Sequence, residues 1–88
     1  NVYLMKSLID IVKEKIKKNI PDSNIEIIDN THLHKHHKSF NKSKTHLKII
    51  IQSDTLRNLN RIVSHKKITN ILRDEIQTKI HSLEIKIK

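Results

Sequence analysis

The sequence predicts an α+β domain in which a three-stranded mixed sheet carries helices on one face. Three observations lead there. Two segments repeat apolar residues at the three-and-four spacing of a helix, and three others alternate apolar with polar residues as strands do. One helix falls between the second and third strands, which is the crossover a parallel pair requires. The chain has 88 residues and no cysteine, so a single domain over 1–88, held by packing alone, is expected.

Leu4, Met5, Leu8, Ile9, Val12 and Ile16 define an amphipathic helix over 3–19, with charged residues between them. It stops at Ile20, because Pro21 disfavours helical geometry in the residue before it and Pro21-Asp22-Ser23-Asn24 is turn chemistry. Ile25 to Asp29 reads as a short strand. Thr45 to Gln52 reads as a longer one, with Ile49 and Ile51 on one face and Lys48, Ile50 and Gln52 on the other. Ser53 and Asp54 are capping types, and a short turn through Leu56 and Asn58 leads to a second helix over about 60–77. Its apolar stripe is read as Ile62, Ile68, Ile71, Leu72 and Ile76. Ile80 to Lys88 closes the order as a third strand, with Leu83, Ile85 and Ile87 inward. The element order is therefore α, β, β, short turn, α, β.

A formal net charge of +9 invites an anionic partner, since clustered cations release counterions from phosphate. Lys far outnumbers Arg, however, and only Arg57, Arg61 and Arg73 offer a guanidinium for bidentate readout of guanine. No apolar run approaches a membrane span or a signal-peptide core, so a soluble intracellular chain is expected, cytoplasmic or mitochondrial, with the compartment open.

The connection between the first two strands is long for a hairpin, and it places His32, His34, His36 and His37 within six positions, beside Lys35 and Lys38. Three readings stand open for it. It is a solvated basic loop, a chance site for zinc, copper or nickel, or part of a site completed from elsewhere. His65 falls at the edge of the second helix's apolar stripe, where packing is the ordinary role. His46 and His81, at the starts of the second and third strands, read as structural. Catalytic sets are absent: Ser43 or Ser53 with His46 and Asp54 is only chance proximity, and a chain without Gly has no phosphate-cradling loop. An enzyme is not expected.

Taken in order, Asp29-Asn30-Thr31-His32-Leu33-His34, Thr45-His46-Leu47-Lys48-Ile49-Ile50-Ile51-Gln52-Ser53-Asp54, His65-Lys66-Lys67 and Ile80-His81-Ser82-Leu83 resemble the BolA family. The resemblance covers nearly the whole chain and is ungapped from Thr45 to Ile85. It implies an αββααβ fold of the class II KH-like type. It also implies a heterodimer with a monothiol glutaredoxin that shares a 2Fe–2S cluster, in iron–sulfur assembly, trafficking or iron regulation. The family's helix histidine falls on His65. Its loop ligand falls nearest His34, with His32, His36 and His37 as rivals. Two imidazoles on one iron and thiolates on the other is known cluster chemistry, so a chain without cysteine depends on a partner and its glutathione for sulfur. The isolated protein is then expected to be a cofactor-free monomer. The sequence departs from the family pattern at Ser64 and Lys66, where basic residues and Arg are usual, and at Asn58, where a turn glycine is usual. Some relatives are described as transcription regulators, which gives the alternative of a nucleic-acid binder using Arg57, Arg61, Lys66, Lys67 and Arg73. A free-standing metal carrier built on the histidine loop is a third reading.

Overall fold

The computed structural model describes residues 7–31 and 45–88. Helix α1 (Leu8–Asn19) starts at Ser7, whose hydroxyl oxygen accepts the Asp10 N–H at 3.1 Å, and Asp10 complements the positive end of the helix. It ends before Pro21, with the Ile20 N–H donated to the Ile16 carbonyl at 2.7 Å. Val12 and Ile16 are fully buried against the sheet, with Leu8 packed alongside. Leu4 and Met5, counted in the expected helix, lie outside the described residues.

Strand β1 (Asn24–Asp29) pairs antiparallel with β2 (Thr45–Gln52), and β2 pairs parallel with β3 (Ile80–Ile87), giving the order β1-β2-β3. The register sets Ile25, Ile27, Ile49, Ile51, Ile85 and Ile87 on one face, by the pairs Ile25↔Ile51, Ile27↔Ile49, Ile49↔Ile85 and Ile51↔Ile87. That face meets Val12 and Ile16 of α1 and Ile68 and Leu72 beyond β2, so the helices lie on one side. The opposite face carries Glu26, Lys48, Glu84 and Lys86 toward water. Each fully buried Ile or Leu contributes about 1.5–3 kcal/mol, which is where a chain with so few aromatics finds its stability.

Between β2 and β3 the chain forms α2 (Asp54–Arg57), α3 (Arg61–Ile71) and α4 (Arg73–Thr78). The single helix predicted over 60–77 is thus two, divided at Leu72, which leaves helical geometry at φ −101°, ψ 17°. Leu72 itself is completely buried. The expected stripe also needs a correction at its first member. Ile62 is 68% exposed, because the first turn of α3 turns Ser64 to the sheet instead, at 3%. A small inward residue lets the helix sit close, and its hydroxyl is satisfied by donating to the Arg61 carbonyl at 3.0 Å. Asn58 needs none of the left-handed freedom expected of it: its φ is −81°, and no described residue has positive φ.

Two polar clamps tie together segments far apart in the chain. Asp22 accepts from the Ser53 hydroxyl at 3.0 Å, the Thr55 N–H at 3.0 Å and the Thr55 hydroxyl at 3.1 Å, capping α2 from a distant turn. Lys15 on α1 donates to both carboxylate oxygens of Glu75 on α4, at 2.9 and 2.7 Å. Glu75 then leads through the end of α4 into β3.

Candidate functional site

On β3 the core-facing residues Leu83, Ile85 and Ile87 lie opposite Leu47, Ile49 and Ile51. Stepping back by two from Leu83 sends His81 inward, toward the core. The structure does otherwise. Thr45 pairs with Ile80 while His46 pairs with Ser82, so His81 is the extra residue of a bulge and has no opposite number on β2. The bulge shifts the alternation by one residue. Ile80 takes the inward position at 3% exposure, and His81 stands exposed. The structural role read for His81 is met by a ring that is exposed on one side and lies against a neighbouring ring on the other.

Beneath it lies His46, 7% exposed, with the two ring centroids 5.0 Å apart and the rings tilted by 59°. Here the packed role read from the sequence agrees with the structure. The backbone of His46 is held on the β1 side, where its carbonyl accepts the Asn30 N–H at 2.7 Å and its N–H donates to the Thr31 hydroxyl at 3.2 Å. Thr31 is fixed in turn by the Asp29 carboxylate, which accepts both its N–H and its hydroxyl. On the β3 side the Thr45 N–H donates to the Lys79 carbonyl at 2.8 Å. The two ends of the histidine connection are thereby anchored on either side of His46, Thr31 toward β1 and Thr45 toward the start of β3. His32, His34, His36 and His37 themselves lie outside the described residues.

An exposed imidazole over a buried one is a nitrogen-donor edge without sulfur. Among the described residues no group of three or more His, Cys, Asp or Glu converges on a point that could hold a metal. The described donors are fewer than a closed metal site takes, since a structural zinc has four ligands. Whatever binds here brings the balance of its ligands from the loop or from another molecule.

His65 occupies a different place. It is half-buried in the first turns of α3 and lines a cleft of about 370 Å³ with Leu56, Arg57, Arg61, Ile85 and Ile87. Ile85 and Ile87 stand five to seven residues along β3 from Ile80, a run of about 16–23 Å at the usual strand rise. The loop anchors are at one end of the sheet and His65 is at the other. The structure brings the His46 and His81 rings together and bonds Thr31 to the His46 backbone, while the expected pairing of His65 with His34 involves a residue outside those described. One signal in the sequence points to His81. Ile80 and Leu83 are three residues apart, and two apolar residues at odd spacing cannot share a face of a regular strand.

Arg57, Arg61, Lys66, Lys67 and Arg73 are all exposed. Arg57 pairs with Asp54, and Arg73 donates to the Asn70 side chain at 3.2 Å. Asp22 is the one carboxyl with a resolved shift among the described residues. The Thr55 N–H, before the Ser53 and Thr55 hydroxyls, holds it below its ordinary value of 3.8.

The family model described as BolA-like protein matches residues 16–88 of this chain. Among curated proteins, the DNA-binding transcriptional regulator BolA of Haemophilus influenzae is 28% identical over 79 residues, spanning 90% of this chain and 74% of that one. Among solved structures, the BolA domain of SufE1 from Arabidopsis thaliana aligns with a TM-score of 0.79 at 25% identity, covering 96% of this chain and 93% of its own. BolA1 from Arabidopsis thaliana has the same TM-score of 0.79 and the same coverage at 23% identity, a likeness of fold.

Proposed function

Because this chain belongs to the BolA-like protein family, we propose that it is a non-catalytic partner of a monothiol glutaredoxin. It shares a 2Fe–2S cluster with that partner in iron–sulfur cluster assembly, trafficking or iron regulation. The observation that carries the reading is the bulge that turns His81 out of the core beside the anchored ends of the histidine loop. We assign the strand-borne ligand to His81 in place of the expected His65. The second imidazole comes from the loop, with His34 first and His32, His36 and His37 as rivals. Each binds as a neutral ring through the lone pair of one nitrogen.

The donor chemistry fits this role. Imidazole nitrogens accept one iron of such a cluster when thiolates hold the other, and a chain without cysteine leaves those thiolates to the glutaredoxin and its glutathione. The net charge of +9 draws in an acidic partner surface and speeds the encounter. His46 packs under His81 and restricts where its ring sits, which lowers the ordering cost on binding.

The test is reconstitution of the complex from this protein, a monothiol glutaredoxin, glutathione, iron and sulfide. His81→Ala should change the visible spectrum of the cluster and shorten its lifetime, and His65→Ala should leave both alone. A spectrum indifferent to His81→Ala sinks the assignment.

The printed description of the Haemophilus influenzae relative as DNA-binding favours a second reading, a nucleic-acid binder using Arg57, Arg61, Lys66, Lys67 and Arg73. Phosphate contacts by these cations should make affinity for duplex DNA fall steeply with salt. Binding that is undetectable at about 0.1 M salt, one Debye length near 10 Å, removes it.

A further inference from the structure

At the end of the molecule away from His81, the α2–α3 corner exposes Leu59 at 38%, Ile62 at 68% and Val63 at 45%, three of the four most exposed large aliphatic side chains among the described residues. Such side chains clustered on one corner mark an interaction site more often than chance exposure does. Two hollows meet there. The cleft of about 370 Å³ between the corner and β3 has Leu56, Ile85 and Ile87 in its walls, and a shallower hollow of about 350 Å³ runs along Ile62, Lys66 and Thr69 on α3. They share Arg61 and His65 and so adjoin along α3, and each is of ligand-site size. Cations rim this groove: Arg57, Arg61, Lys66 and Lys86 all border the two hollows, and Lys67 is exposed on the same helix. Asp54, on α2 beside the groove, is already paired with Arg57.

We propose that this groove is a second docking site, for an acidic segment of a partner protein that carries aliphatic side chains. Apolar walls take the aliphatic groups, and the rim pairs with the carboxylates. Single-stranded nucleic acid suits the groove less well. Bases need aromatic platforms to stack on, and among the described residues no Phe, Tyr or Trp lines either hollow. The chain also has no glycine to let a phosphate backbone approach closely. Because the groove lies at the far end of β3 from His81, a partner bound there leaves the imidazole edge free, and both sites are filled at once.

The test is an amide NMR titration of the 88-residue chain with a pool of short synthetic peptides built from Asp, Glu, Leu and Val. Saturable shifts should appear at residues 56–66 and 85–87 and be absent at 45–47 and 80–82. Ile62→Asp and Arg61→Glu, both at exposed positions and so expected to fold normally, should each weaken binding at least about tenfold. His81→Ala should leave peptide binding unchanged, so that failure here and failure of the cluster reading are told apart. A pool that does not bind overturns the proposal, as do shifts at the His81 end. Tighter binding of a single-stranded oligonucleotide or an anionic phospholipid vesicle at the same residues also overturns it.

Discussion

Removing the Lys15 ammonium from α1 tests how firmly the helical layer holds the start of β3. Lys15 makes both of its bonds to Glu75, whose side chain keeps only 11% of its surface accessible, while the Lys15 side chain keeps 37%. In Lys15→Met the aliphatic stem still packs, and the carboxylate loses both charge-assisted hydrogen bonds from the ammonium. A buried charged group left without partners costs about 1–3 kcal/mol or more. Water reaches this one from the lysine side, so the exposed-pair range pulls the expectation down to about 1–2 kcal/mol. For a domain of this size that is a fall of roughly 4–15 °C in Tm. Urea unfolding followed by far-ultraviolet circular dichroism measures it, with Glu75→Gln and the double variant closing a thermodynamic cycle. The coupling energy should exceed about 0.5 kcal/mol, as for residues in direct contact. Additive single effects would refute the clamp, and with it the claim that α1 helps fix the residues leading into the bulge.

The remaining expectations concern the helix face, the α2 cap and the close approach of α3. Ile68→Ala, at a position with no exposure, should lose about 2–5 kcal/mol in the same urea assay. Ile62→Ala should stay within about 0.5 kcal/mol, and equal losses would restore the stripe read from the sequence. Ser64→Leu forces a large side chain between α3 and the sheet and should cost about 1–3 kcal/mol, whereas a stable, well-packed variant would show spare room there. Asp22, held below 3.8 in the native state, contributes stability above that pH and loses it as pH falls through its lower native value. Urea midpoints of Asp22→Asn should therefore lie below wild type at neutral pH and converge with it as pH falls below the lowered native value. Parallel curves would show that ionisation of Asp22 contributes nothing.

Strands were legible in the sequence wherever alternation was unbroken. Ile49 and Ile51 fall inward as read, and the parallel partner of β2 follows from the helical crossover. The first helix declared its end through Pro21. The second helix was harder, because periodicity counts apolar residues without asking which turn meets the sheet. Ile62 is as hydrophobic as Ile68, yet Ser64 takes the inward position in the first turn while Ile62 faces solvent. The Leu72 break has no Pro or Gly to announce it. The exposure of His81 was hidden for a related reason: regular alternation back from Leu83 points it inward, and a bulge is a local exception, visible in the sequence only as the odd spacing of Ile80 and Leu83. Asp22 and Glu75 act across the fold on partners far away in the chain, and no local pattern encodes such contacts.

The molecule has two chemically distinct ends. The His46–His81 edge offers nitrogen donors where the histidine loop is anchored, and the α2–α3 corner offers apolar grooves and cations. The proposed function stands on the first of these. Its most direct measurement is pulsed electron paramagnetic resonance of the reduced cluster in the glutaredoxin complex, with this chain alone carrying nitrogen-15 histidine. Strong nitrogen-15 couplings to the cluster should appear, one of them lost in His81→Ala and none in His65→Ala. Couplings that survive His81→Ala, or that vanish with His65→Ala, would contradict the account.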